Sequence, residues 1–163
     1  MQKTSLNSTP KNIMLCIWWS VNGVEYWELL AHGCTVTADV YVDQLKNLKT
    51  NLENARPQQR EVYFQHDNAR PHVARTTKAK LVKFGSTILP HPPYSPDLAP
   101  SDYHLFSYLQ RHLDSQDFQT PDDIKKALEQ FFKEQSPAFW SKGIYYLPKR
   151  WQKTIDANGT YFK

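Results

Sequence analysis

Cysteine is scarce in this chain of 163 residues: there are two, Cys16 and Cys34. Neither belongs to a Cys-x-x-Cys pair, so the paired spacing of thiol-based zinc and redox motifs is missing. Two reduced thiols are the expectation, with a single disulfide as the alternative. Long apolar runs are missing too. The longest, Ile13 to Trp19, falls far short of the roughly 20 residues a membrane span needs. No basic stretch followed by an apolar core opens the chain, so no secretory leader is expected and the compartment expected is cytosol or nucleus. There is no internal repeat, no domain-scale linker and no His-x-x-x-His pair of the kind that holds zinc on a helix.

What is present describes a folded protein. Hydrophobic residues make up 40% and charged residues 22%, which excludes wholesale disorder and suits one domain with a real core. Aromatics are abundant at 13%, and the formal charge is +4. A basic balance favours an anionic partner such as nucleic acid, although many basic proteins bind none.

The polar residues 1–11 show no periodicity and predict a flexible lead-in. Residues 12–19 read as a strand buried on both faces. Asn22-Gly23 supplies a hairpin turn into a second strand at 24–31. Thr37 is a plausible N-cap for a helix over 38–54, where Tyr41, Leu45, Leu48 and Leu52 recur at helical spacing. A strand over 61–66, a basic helix over 72–84 and a short strand over 86–90 follow. Five prolines between 90 and 100 allow neither helix nor central strand and stiffen a loop. A helix over 101–113 comes next, then one opened by Thr120-Pro121 with two acids in its first turn. A final helical region starts at Ser136-Pro137 and is expected to break at Pro148. The order gives an α/β fold with helices on a mixed sheet.

Two carboxylates frame the most polar part of the chain. Asp67 directly follows the strand over 61–66, where open α/β sheets place ligands. Asp102 follows with 34 residues between the two. Carboxylates suit hard divalent cations such as Mg²⁺ or Mn²⁺. Each also has a plainer explanation: Asp67 as a turn and capping residue, Asp102 as an acid favoured by the helix dipole. Asp97 reads as a turn residue. A His/Asp centre built from His66, His72, His91 and His104 is a weaker alternative. Arg70, Arg75, Lys78, Lys80 and Lys83 fall along one helix and its entry; Arg70, His72, Arg75 and Lys78 are the candidates for contacting DNA phosphates. The plainer alternative is a solvated helix face. Trp18, Trp19, Trp140 and Trp151 read as core or interface anchors.

Two blocks carry a family resemblance. His66-Asp67-Asn68-Ala69-Arg70-Pro71-His72 and the run from Leu89 through Pro92-Pro93-Tyr94-Ser95-Pro96-Asp97 to Phe106 resemble mariner transposases of the Tc1/mariner family. The spacing of the two acids, Trp18-Trp19, Tyr41-x-x-Gln44-Leu45, Arg150-Trp151-Gln152-Lys153 and Asn158-Gly159 agree, over about residues 11–163. The transposase part of SET–mariner fusions is similar as well. The resemblance implies an RNase H-like fold over 12–163, part of a catalytic domain that cuts and joins DNA at transposon ends. It implies Mg²⁺ or Mn²⁺ held by three aspartates, with Asp67 and Asp102 as the second and third. It also implies DNA as partner, a homodimer, a nuclear location and no membrane.

The family's first aspartate stands on a strand ahead of the Trp-Trp strand, and residues 1–11 hold no Asp or Glu. The expectation is therefore a truncated fold without its first, central strand, inactive alone. A domesticated or decayed DNA- or protein-binding module is the alternative. The strands at 12–19 and 61–66 are expected to pair directly, to leave an open edge, or to be completed by another chain.

Overall fold

A computed structural model describes residues 2–6, 13–31, 33–59 and 61–158, with backbone alone described for 2–6. The chain divides into two compact units: Cys34–Tyr94, and Gln2–Gly33 together with the chain from Ser95 onward.

The second unit holds a three-stranded antiparallel sheet of β1 (Gln2–Leu6), β2 (Ile13–Ser20) and β3 (Gly23–Leu30), with β2 in the middle. The apolar run of β2 is buried on both faces, as its sequence predicts: Leu15 and Ile17 point one way, Cys16 and Trp18 the other, and none is more than 4% exposed. The Leu15 and Ile17 face packs against helices α4 (Phe106–Asp114), α5 (Pro121–Glu134) and α6 (Pro137–Tyr145). There Leu109, Leu113, Ile124, Leu128, Phe131 and Trp140 form a continuous core. Helix α5 starts where the sequence says. Thr120 Oγ1 accepts from the Asp123 amide, and the Asp123 carboxylate accepts from the Thr120 amide, a reciprocal cap. Helix α7 (Leu147–Asp156) follows α6 and admits Pro148 within its first turn, where a missing N–H costs nothing. The break therefore lies at Tyr146 rather than at Pro148.

The flexible lead-in expected over 1–11 is corrected at Gln2–Leu6. These residues pair with β2 in register from Gln2 opposite Ile17 to Leu6 opposite Ile13. An extended segment beside a buried strand satisfies the strand's second row of backbone N–H and C=O groups, which are costly to bury unpaired. None of the three expected outcomes describes this edge, which the same chain covers. The rest of the lead-in lies outside the described residues.

The first unit contains α1 (Ala38–Ala55), β4 (Val62–Phe64), α2 (Arg70–Val73), α3 (Arg75–Lys83) and β5 (Ser86–Ile88). Helix α1 is capped by Thr37, whose Oγ1 accepts from the Val40 amide. Tyr41, Gln44, Leu45 and Leu48 are buried along one side of it. β4 and β5 run parallel, and within the described residues β4 has no other strand partner. The single helix expected over 72–84 is two: Ala74 takes an extended conformation (ψ 145°) between α2 and α3. Among the described residues, no helix is long and apolar enough to cross a membrane.

Candidate functional site

Asp67 stands beyond the carboxyl end of β4. The strand end is tied to the chain leaving β5: the Leu89 amide donates to Phe64 O at 2.8 Å, and Asn68 Nδ2 donates to His91 O at 2.9 Å. Asp67 Oδ1 receives two donors, the Ala69 amide at 3.0 Å and His72 Nδ1 at 2.5 Å. Its side chain remains 43% exposed. One carboxylate oxygen is thus fixed and the other is left for an outside partner. Burial pushes the Asp67 carboxyl up, but the bonds from His72 and Ala69 outweigh it and hold the group well below the usual carboxylate range. An ionised, oriented carboxylate with one oxygen available suits a hard cation.

His72 is fully buried. Its Nε2 has no hydrogen-bond partner among the described residues. The ring packs 4.4 Å from Tyr41 and stacks on His66 at 5.2 Å with 7° between planes. Tyr41 Oη and His66 Nδ1 share a hydrogen bond of 3.0 Å. Burial lowers the His66 pKa to about 3, so the ring is neutral. The sequence reading placed His72 among the DNA contacts. That is corrected, because a side chain without solvent exposure reaches no phosphate; it supports Asp67 instead. The parts played by Tyr41 and His66 were missed. Tyr41 enters the sequence reading through helical spacing and the Tyr41-x-x-Gln44-Leu45 block, and nothing in either shows that the two histidines stack.

Asp102, in the other unit, lies on an exposed turn whose neighbours are firmly held. Pro96–Leu98 forms a 3₁₀ turn, and Ser101–Leu105 forms a π-helical turn closed by the Phe106 amide on Ser101 O. Such turns recur at functional sites. Ser101 Oγ accepts from Trp19 Nε1 at 2.8 Å. Tyr103 Oη donates to Gly143 O at 2.6 Å, and His104 Nε2 bonds Phe139 O at 2.8 Å. Burial pushes the Tyr103 phenol up to about 12 although Arg150 pulls it down. Gly143 has to be glycine, since a Cβ there would lie 2.5 Å from His104 Cδ2 and 2.8 Å from Trp19 Cη2.

Arg70 on α2, with Arg75 and Lys78 on α3, is exposed. From Asn68 to Gly85 the sequence holds no Asp or Glu, so this surface is uniformly basic. No group of three or more His, Cys, Asp or Glu that could hold a metal occurs among the described residues. The His/Asp centre weighed from sequence is therefore not assembled there.

The family described as "Transposase (partial DDE domain)" matches residues 2–62. The Mariner Mos1 transposase of Drosophila mauritiana is 42% identical over 161 residues, 96% of this chain and 47% of that protein. The histone-lysine N-methyltransferase SETMAR of Homo sapiens is 41% identical over 156 residues, 94% of this chain and 23% of that protein. The chain thus spans under half the length of these relatives. The crystal structure of the catalytic domain of Mos1 mariner transposase superposes with a TM-score of 0.95 at 42% identity, covering 99% of this chain and 82% of that one. The Mos1 paired end complex with Mn superposes at 0.91 with 43% identity, over 100% of this chain and 48% of that one. The mixed α/β fold is accordingly RNase H-like. With two long sequence blocks and this superposition in agreement, the chain belongs to the mariner transposases of the Tc1/mariner family, within their catalytic domain.

Proposed function

We propose that this chain handles DNA as a mariner transposase catalytic domain does, with Asp67 and Asp102 as carboxylate ligands of Mg²⁺ or Mn²⁺. The observation that carries the reading is Asp67 itself: ionised, with one oxygen pinned by His72 and Ala69 and the other free to bind outward. Structures of the Mos1 catalytic domain with Mg and with Mn support the choice of metals. A bound pair of such ions supplies an activated attacking oxygen and stabilises the leaving one. This chain's own part is to hold Asp67 and Asp102 oriented and to offer phosphates a basic surface at Arg70, Arg75 and Lys78. Complexes of Mos1 with transposon-end DNA support DNA as the partner, and a nuclear location belongs to the same reading. A second copy of the chain belongs to the same reading, since paired ends are the assembly named for Mos1.

A second element of the proposal concerns activity. The 163-residue chain by itself binds DNA without cutting it, as a binding module would. The lack of a three-ligand group among the described residues favours this. The test is a nicking assay on supercoiled DNA with Mg²⁺ or Mn²⁺, run beside a binding titration. Binding that weakens steeply with salt and no nicking is expected. Nicking abolished by Asp67→Ala would overturn the inactivity and keep the metal assignment. Absence of DNA binding at low salt would overturn the whole reading.

A further inference from the structure

Arg150 is a cation held, among the described residues, by a carbonyl and two rings. It stands on α7, the helix after the core helices, and no carboxylate pairs with it among the described residues. Its Nε is buried with no hydrogen-bond partner among the described residues. Removing a guanidinium from water is unfavourable unless its N–H groups are matched, so its placement needs a reason. Its contacts supply one. Nη1 donates to Asp97 O at 3.1 Å, in the 3₁₀ turn. The guanidinium carbon Cζ lies over the Tyr103 ring, 4.0 Å from its centroid, and Tyr146 flanks it at 5.9 Å. Asp97 and Tyr103 lie on either side of Asp102, one before the π-helical turn and one within it.

We propose that Arg150 is a positioning residue for Asp102. It fastens the 3₁₀ turn to the ring that follows Asp102, and so fixes the direction in which the exposed carboxylate projects. Trp19, Gly143 and Phe139 anchor Ser101, Tyr103 and His104 from the core. Only Arg150 spans both turns among these contacts. The choice of arginine follows from the geometry: a planar cation stacks on a ring and donates sideways at once, which a lysine ammonium cannot do. The proposal rests on the reading of Asp102 as a metal ligand, but its structural half is testable without metal.

The experiment compares the whole chain with Arg150→Ala and Arg150→Lys. The metal-free measurement is amide hydrogen exchange. Arg150→Ala is expected to speed exchange across residues 101–105 about tenfold while α5 keeps its protection. Arg150→Lys should restore little of it. The second measurement adds Mn²⁺ alone and follows paramagnetic broadening at the Tyr103 amide. The variants should need about tenfold more Mn²⁺ than the parent, the scale on which supporting residues act. Unchanged exchange at 101–105, or exchange raised equally in α5, overturns the positioning role. So does a loss of DNA binding with no change in exchange, which would make Arg150 a phosphate contact. If the parent chain shows no broadening near Asp102, the ligand reading of Asp102 fails, and the exchange data still judge Arg150. Should Arg150→Ala not fold, Arg150→Lys carries the same comparison.

Discussion

His72 Nδ1 lies 2.5 Å from Asp67 Oδ1, and the histidine is completely buried while the aspartate is not. The buried partner therefore depends more on the bond than the exposed one: water can replace His72 for Asp67, but nothing replaces Asp67 for His72. Hydrogen bonds to charged groups contribute about 1.5–3 kcal/mol. His72→Ala and Asp67→Ala are each expected to destabilise the fold in urea. A double-mutant cycle should give a coupling of about 1 kcal/mol or more. A coupling near zero would show that the two side chains are merely adjacent.

Acid should unfold the protein earlier than ordinary carboxylates would. His66 has a folded pKa of about 3 against an ordinary 6.5. Below pH 6.5 the unfolded chain takes up a proton that the folded one refuses. This contribution to stability is whole above pH 6.5 and is lost as the pH falls toward 3, by at most about 1.4 kcal/mol per pH unit. Asp67, also depressed, adds to the loss at the acid end. His66→Gln should flatten the profile between pH 6 and about 4 in chemical denaturation. An unchanged slope would mean that His66 titrates normally.

Gly143→Ala places a methyl carbon against His104 and Trp19. Forcing a group into a packed interior costs about 1–3 kcal/mol. The variant is expected to melt lower and to quench or shift Trp19 fluorescence, since the indole must move. A melting temperature equal to the parent's would show that the helix can slide away.

The basic stretch offers a quantitative check of DNA contact. Each phosphate contact contributes about 0.9 to the slope of log affinity against log salt. Replacing Arg75 and Lys78 together by glutamine should lower that slope by roughly two for any DNA sequence. An unaltered slope would assign these residues to a merely solvated face.

Local chemistry made much of this fold legible. Thr37 and Thr120 announce their helices because capping is a matter of three or four adjacent residues. The hairpin at Asn22-Gly23 is read for the same reason, and Gly23 does take positive φ (115°). What escaped depends on distant partners. Residues 2–6 have no strand-like pattern of their own and become extended because β2 presents an edge. The break at Ala74 lies in a sequence of good helix formers. Asp67 and Asp102 could be named as candidate ligands from motif and spacing. That His72 would be withdrawn from solvent could not, since its burial depends on Tyr41, 31 residues earlier in the chain.

The π-helical turn at Ser101–Leu105 has a consequence for tolerance to length change. Its closing bond skips one residue more than an α-helical bond does. Deleting one residue there would regularise the helix locally, yet it would swing every side chain upstream by about 100° relative to α4. Asp102 sits on an exposed surface, where insertions and deletions are ordinarily absorbed. The turn makes it instead a point of fixed phase: no residue can be added or removed there without turning the carboxylate away.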